Sequence, residues 1–188
     1  PPFPKDLLPL DTILEFLKKR KNVLGGVCIT GGEPLIHADI YDFIEKIHTI
    51  GLKVKLDTNG LSPDRLQPQK LDFIAMDMKT STEKYDLLGY AETKEARSKI
   101  ENSINTIIAS GKPHEFRTTI VPGIVTLDDV QEIGGMIYGG QSYILAQFKA
   151  ENTLDPKYEQ ASPYPVDYLE KMRDAVIQRG VPCRIRYN

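Results

Sequence analysis

The sequence contains few of the residues on which several classes of protein depend. It has two cysteines in 188 residues, no tryptophan and a formal net charge of −2. Two cysteines exclude a disulfide-based scaffold, and they exclude a metal cluster that takes three thiolates from this chain alone. The near balance of charge argues against nucleic-acid binding through charge alone, because such binding needs an excess of clustered cations. We therefore expect no nucleic-acid partner.

Long apolar segments are also absent. The apolar run at residues 73–76 is typical, and it is far shorter than the roughly 18–20 residues that span a bilayer. The N-terminus shows no basic-then-apolar signal pattern. We therefore expect a cytoplasmic protein with no membrane partner, in which Cys28 and Cys183 are buried, reduced, structural thiols. Because the first residue is Pro1 and not Met, we expect a fragment, a processed form or a truncated form.

Short strands rich in β-branched residues alternate with amphipathic helices along the chain. The predicted strands cover residues 27–30, 54–57, 72–78, 116–121 and 143–148, with 183–186 as a candidate sixth, and we expect 27–30 to be buried. The predicted helices are one capped by Asp11, one over 40–50 that ends at Gly51, and others over 94–110, 127–138 and 166–178. The length suits a single domain over residues 1–188.

This alternation predicts βα units and a parallel sheet, which is an α/β fold. Five strands do not close the usual eight-stranded barrel. An open barrel and a doubly wound sheet both remain possible from the pattern. Because the first element is a helix, we expect that a strand before Pro1 is missing.

Polar residues follow all five strands, at the edge where parallel α/β folds place their active sites. The ionised residues at or near these ends are Glu33, Asp57, Asp77, Lys79 and Arg117. Turn-forming preferences explain polar residues in any one loop. Ionised groups at so many strand ends instead indicate a ligand site along one rim.

The residue types are compatible with a zwitterionic ligand that carries a sugar and a base, because such a ligand would use all of them. Gly31 and Gly32 let a ligand approach the backbone closely, and Glu33 can accept hydrogen bonds from an ammonium group. Asp57 and Asn59 suit hydroxyls or a cation.

Two cations and one apolar side chain complete the predicted site. Lys79 and Arg117 suit a carboxylate or a phosphate. Strand alternation places Thr119 and Val121 on the same face as Arg117, where Val121 would meet an apolar or aromatic ring.

Four segments, in this order, resemble the motifs of radical S-adenosylmethionine enzymes. They are Gly31-Gly32-Glu33-Pro34, Leu56-Asp57-Thr58-Asn59-Gly60, Met76-Asp77-Met78-Lys79 and the heptapeptide RTTIVPG from Arg117 to Gly123. The series resembles the branch that activates glycyl-radical enzymes, in particular the activating proteins of anaerobic ribonucleoside-triphosphate reductase and pyruvate formate-lyase. The resemblance covers residues 7 to 150.

The resemblance implies an open, partial (β/α)6 barrel whose first strand and cluster loop are missing from this chain. It implies S-adenosylmethionine and, in the complete protein, a [4Fe–4S] cluster at which the cofactor is reductively cleaved. The complete protein would act anaerobically on a glycyl-radical enzyme and receive electrons from a reductant such as flavodoxin or ferredoxin. The family's Cys-x3-Cys-x2-Cys loop has no counterpart here, so the resemblance assigns no metal ligand in this chain. We therefore expect this chain alone to be inactive.

The resemblance also implies a role for each matching residue. Its cofactor-binding set is Gly31, Gly32, Glu33, Pro34, Asp57, Thr58, Asn59, Asp77, Lys79, Arg117 and Val121. The first four would bind the methionyl amino group, and Asp57, Asp77 and Lys79 would line the carboxylate and ribose region. Asp57, Thr58 and Asp77 would also suit a monovalent cation. Arg117 would reach the cofactor's carboxylate, and Val121 would lie near the adenine. No single catalytic side chain is identified.

Two other functions fit the same strand-end residues. A non-radical barrel enzyme could use Lys79 as a nucleophile, or Asp57 and Asp77 as acid–base groups. A non-catalytic module could retain only the nucleotide pocket.

Overall fold

A six-stranded parallel sheet forms the centre of the protein. We describe residues 7–89, 93–151, 153 and 155–187 of a computed structural model. The strands are β1 (Gly26–Ile29), β2 (Lys53–Thr58), β3 (Phe73–Asp77), β4 (His114–Ile120), β5 (Tyr143–Gln147) and β6 (Cys183–Arg186). They lie in the order β1-β2-β3-β4-β5-β6, and every neighbouring pair is parallel.

This strand order distinguishes between the two architectures that the pattern allowed. A doubly wound sheet reverses its strand order at a switch point, whereas this sheet runs in one direction from β1 to β6. β1 and β6 are not paired with each other, so the sheet does not close. The α/β prediction of an open, partial barrel is confirmed, and the candidate strand at 183–186 is real.

The described residues form five α-helices. They are α1 (Leu10–Arg20), α2 (Ile40–Ile50), α3 (Thr93–Ala109), α4 (Leu127–Met136) and α5 (Val166–Ile177), with 3-10 turns at Pro34–Ile36, Pro63–Arg65, Pro68–Lys70, Thr82–Leu88 and Pro156–Gln160. Of these helices, α1 precedes β1 and the other four connect strands, while β2 is joined to β3 by 3-10 turns. Gly51 ends α2 with a φ of +91°, as its position predicted. The predicted cap at Asp11 is wrong, because α1 already begins at Leu10, after Pro9, and Asp11 lies in its first turn.

None of the helices that the structure describes has the length and apolar content to cross a membrane.

The two faces of the sheet differ in chemistry because side chains alternate along each strand. One face carries the buried side chains of Val54, Leu56, Ile74, Met76, Phe116, Ile120, Tyr143 and Leu145. These residues form one core with buried residues of α2 to α5, among them Ile44, Ile47, Ile104, Ile133, Leu169 and Val176. The opposite, concave face carries charged residues in its central strands. The charged face is therefore the one on which the site must be built.

The interpretation of the first strand and its cysteine as buried is wrong. β1 lies at one edge of the described sheet, its residues alternate between exposed and half-buried, and Cys28 is exposed. Cys183 in β6, at the other edge, is half-buried rather than buried. A sequence rich in β-branched residues predicts the strand, but only its place in the sheet determines its burial.

Candidate functional site

The carboxyl edge of the sheet gathers the predicted site residues into two linked clusters. Because all neighbouring strands are parallel, the segments that follow β1, β2, β3 and β4 emerge at the same edge. The first cluster is centred on Glu33 and joins the loop after β1 to the end of β2. The second is centred on Arg117 and joins β2, β3 and β4.

Glu33 holds the two loops together through both oxygens of its carboxylate. Oε1 accepts hydrogen bonds from the backbone N–H of Leu35 at 3.2 Å and from Thr58 Oγ1 at 2.8 Å. Oε2 accepts a bond from the backbone N–H of Asn59 at 2.6 Å. Glu33 therefore binds the protein itself, and its structural role is to fix the position of the glycine loop relative to β2.

The glycines before Glu33 form an open, left-handed turn. Gly31 has a φ of +94° and Gly32 a φ of +57°, conformations that residues with a Cβ rarely adopt. No heavy atom lies within 4 Å of the point where a Cβ would stand at either residue. The loop backbone is therefore accessible from solvent. Pro34 begins the short 3-10 turn that follows and is buried.

Thr58 and Asn59 are also engaged by the protein. Thr58 is buried, donates to Glu33, and accepts a bond from the N–H of Gly60 at 3.1 Å. Asn59 Oδ1 accepts from the N–H of Leu61 at 2.9 Å, which closes a local turn. Their side-chain oxygens shape the loop after β2.

Arg117 lies between two aspartates that come from neighbouring strands. Its Nη2 is 3.0 Å from Asp57 Oδ2 and 2.8 Å from Asp77 Oδ1, and its Nε donates to Asp77 Oδ1 at 2.8 Å. The side chains of Arg117 and Asp57 are each 14% exposed. Burial acts to lower the pKa of Arg117, but Asp77 and Asp57 outweigh it, so this pKa lies above its ordinary value. The guanidinium is a permanent positive charge that orients both carboxylates.

Asp57 retains one buried oxygen without a hydrogen bond. Oδ1 accepts no hydrogen bond within the described part of the chain. Lys55 Nζ lies 3.5 Å from this oxygen, which is a charge contact and not a hydrogen bond. An acceptor of this kind is what a ligand hydroxyl, ammonium or cation would use.

Three charged residues of the concave face were missed by the sequence reasoning. Lys55 Nζ lies 3.0 Å from Glu115 Oε1, and Arg117 Nη1 lies 3.8 Å from the same oxygen. Arg184 Nη2 lies 3.6 Å from Glu115 Oε2. Strand alternation could have identified two of them. Lys55 and Glu115 precede Asp57 and Arg117 by two positions, so each lies on the same strand face as its partner in the predicted site.

Lys79 and Val121 lie at the outer limits of the predicted site. Lys79 Nζ is 3.0 Å from Asp77 Oδ2, and its side chain is 50% exposed. Val121 follows β4 and lines a cavity of about 630 Å³ beside the ends of β4, β5 and β6. The structure thus connects Glu33 with Thr58 and Asn59. It connects Arg117 directly with Asp57 and Asp77, and Asp77 in turn contacts Lys79.

Comparisons with known proteins agree with the resemblance inferred from the motifs. The sequence profile described as the Radical SAM superfamily matches residues 1–136. The chain is 28% identical over 142 residues to a provisionally named glycyl-radical enzyme activating enzyme of Methanocaldococcus jannaschii, across 71% of this chain and 58% of that protein. It is 29% identical over 134 residues to a GTP 3′,8-cyclase of Helicobacter pylori, across 69% of this chain and 41% of that protein.

The fold is also found in a solved structure. A domain of a pyruvate-formate lyase-activating enzyme from Bacteroides vulgatus superimposes with a TM-score of 0.68 at 14% identity, covering 87% of this chain and 99% of that one. This likeness concerns the fold alone. The chain spans less than two thirds of the length of the two curated relatives. Because the family profile covers well over half of its 188 residues, the chain belongs to the radical S-adenosylmethionine superfamily.

Proposed function

We propose that the rim formed by the Glu33 and Arg117 clusters binds S-adenosylmethionine, and that the complete protein uses it to form a glycyl radical on a partner enzyme. Membership of the superfamily implies this cofactor. The observation that carries the proposal is the convergence of all four motif segments on one edge of the sheet.

The residues of the rim fit the cofactor. The open loop at Gly31 and Gly32 leaves room for a ligand against the backbone. The unsatisfied Asp57 Oδ1 offers a buried acceptor, which suits a ribose hydroxyl, an ammonium or a monovalent cation. Lys79 is half-exposed and has donors beyond its bond to Asp77, so it is the cation best placed for the methionyl carboxylate.

The remaining residues of the predicted set would act by holding these groups in place. Glu33 fixes the glycine loop, and Pro34 starts the turn that positions Glu33. Arg117 orients Asp57 and Asp77, so its effect on the cofactor would pass mainly through those carboxylates. Val121 would pack against the adenine from the wall of the neighbouring cavity. When bound, the cofactor supplies the hydrogen-abstracting radical chemistry.

An iron–sulfur cluster does not fit the cysteines of this chain. The sequence holds two cysteines, and a cluster of the implied type takes three. Burial raises the pKa of Cys183 to about 12, which disfavours the thiolate that a metal requires. Within the described residues no group of three His, Cys, Asp or Glu side chains is arranged to hold a metal. The proposed reaction therefore requires thiolates beyond those of these 188 residues.

The activase role is supported by the similarity to the Methanocaldococcus jannaschii protein. The proposal includes a glycyl-radical enzyme as protein substrate, and a reductant such as flavodoxin or ferredoxin. A second candidate is radical chemistry on a small molecule, which the match to GTP 3′,8-cyclase favours.

Cofactor binding is tested by isothermal titration of S-adenosylmethionine into the 188-residue chain. We expect Asp57→Asn to weaken binding about tenfold or more, because it removes the charge that faces the ligand. The matched control is Asp64→Asn, since Asp64 is exposed in the turn before β3. Equal affinity in the wild type and Asp57→Asn would contradict the assignment of the rim.

The activase role needs a separate experiment. The natural full-length protein is incubated anaerobically with S-adenosylmethionine, a one-electron reductant and a glycyl-radical enzyme. We expect the electron paramagnetic resonance doublet of a glycyl radical on the partner. Cofactor consumption without this doublet would support the small-molecule candidate instead.

A further inference from the structure

The cavity beside the ends of β4, β5 and β6 extends well past the predicted cofactor residues. Its volume is about 630 Å³, which is within the range of sites for organic molecules. Apolar side chains form much of its wall, namely Val121, Ile124, Ala146, Phe148, Leu87 and Leu88. Of the predicted cofactor residues only Val121 lines it. The larger part of the cavity is therefore available to a second molecule.

Arg186 projects from the same face of the sheet as the charged rim. The register pairs Thr119 with Ala146, and Ala146 with Arg186. Paired residues of parallel strands share a face, so Arg186 belongs to the concave face that also carries Arg117. β4 and β6 are separated by two strand spacings, about 10 Å. Arg186 thus lies across the cavity from β4, the strand that Val121 follows.

Arg186 is the cation of this cavity without a carboxylate partner among the described residues. Lys149 is paired with Glu151 at 2.8 Å, and Lys157 with Asp155 at 2.7 Å. Arg186 makes no ion pair in the described part of the chain, and it is exposed at the cavity wall. The cavity therefore combines an apolar body with one uncompensated positive charge.

We propose that Arg186 binds an anionic group, a carboxylate or a phosphate, of the substrate that occupies this cavity. The identification of that molecule as the substrate rests on the proposed function, whereas anion binding by the cavity does not. A guanidinium can bind either group through two parallel hydrogen bonds, and an apolar wall favours an aromatic or aliphatic body next to the anion. A neutral or cationic substrate could use the apolar wall but would form no ion pair with Arg186.

The substrate anion and the cofactor carboxylate have separate partners. The cofactor carboxylate is assigned to the Lys79 side of the rim, where Lys79 and Arg117 both contact Asp77. Arg186 has no contact with that network, and it is on the far side of β5. Arg186 therefore selects the substrate and does not hold the cofactor.

The test uses NMR titration of the 188-residue chain with phenyl phosphate, phenylacetate and the neutral phenylacetamide. We expect both anions to shift the amide resonances of Ala146 and Phe148, and phenylacetamide to bind about tenfold more weakly. Arg186→Gln should weaken anion binding about tenfold and leave phenylacetamide unchanged. Stronger binding of phenylacetate would point to an acidic side chain of a protein substrate, and stronger binding of phenyl phosphate to a phosphorylated small molecule.

Arg184→Gln is the matched control, because Arg184 lies on the same strand and face but contacts Glu115 and does not line the cavity. Equal weakening in both variants, or no discrimination between phenylacetate and phenylacetamide, would overturn the proposal. Titration with S-adenosylmethionine in the same variants separates the two hypotheses. Anion binding through Arg186 without any binding of S-adenosylmethionine would contradict the proposed function but still support the anion site.

Discussion

Replacing Glu33 by Gln should destabilise the protein and weaken cofactor binding together. Two backbone N–H groups, of Leu35 and Asn59, donate to different oxygens of the carboxylate, and Thr58 Oγ1 donates as well. A glutamine amide has one oxygen. In either orientation its NH2 group would face one of the two backbone N–H groups, and that group would lose its acceptor.

The magnitude follows from these contacts. One charge-assisted hydrogen bond is lost and the others are weakened, which costs about 2 kcal/mol of unfolding free energy for a half-buried group. In a chain of this length, that loss corresponds to a drop in Tm of about 4–8 °C. Because Glu33 positions the glycine loop, the affinity for S-adenosylmethionine should fall about tenfold or more.

The assay is urea unfolding followed by circular dichroism, with isothermal titration on the same samples. Glu159→Gln is the matched control, since Glu159 is exposed and makes no described ion pair. We expect this control to stay within about 0.5 kcal/mol of the wild type. A Glu33→Gln protein as stable as the control would refute the structural role of the carboxylate. Normal stability with weak binding would instead indicate that Glu33 contacts the ligand directly.

Three further changes have effects that the structure defines. Gly60→Ala should lower the free energy of unfolding, measured in urea, by about 2–4 kcal/mol. Gly60 has a φ of +77°, and a Cβ there would meet the methyl group of Met76. Unchanged stability would contradict this packing. For Asp129, burial raises the pKa but hydrogen bonds from neighbouring side chains outweigh it, leaving the pKa below its ordinary 3.8. The ionised Asp129 therefore stabilises the fold fully above that value, and this stabilisation is lost as the pH falls through the lowered pKa. In Asp129→Asn the free energy of unfolding should depend less steeply on pH below about pH 4. An acid unfolding transition identical to that of the wild type would argue against this role. A thiol reagent should modify exposed Cys28 before half-buried Cys183; the reverse order, read by mass spectrometry, would contradict the strand placement.

The sequence predicts the fold well where a pattern is local. Alternating strands and helices, and the stop at Gly51, depend on residues that are close in the chain, and the structure agrees with them. The burial expected for Cys28 was wrong because burial depends on strand order, which no local pattern encodes. The cap expected at Asp11 was wrong because Pro9 precedes a helix that already includes Leu10.

The site was predicted as a set of residues but not as a set of contacts. The motifs name Arg117, Asp57 and Asp77, and strand parity places each at the same rim. Which cation faces which anion follows only from the register, in which Asp77 lies beside Arg117. The sequence interpretation assigned Arg117 directly to a ligand carboxylate, whereas its side chain is engaged with two aspartates of the protein. The direct ligand role of Arg117 remains a prediction.

The two-faced sheet has a consequence for how this protein tolerates change. On the convex face, against the helices, side chains such as Leu56 and Phe116 are sealed from water, so a substitution there is felt through its volume. On the concave face, Lys55, Glu115 and Arg117 interact through charge at the border with solvent. Substitutions there change the balance of charge, and the size of their effect depends on the ionic strength. One layer of backbone thus separates a face on which substitutions change the charge balance from a face on which substitutions change the packing volume.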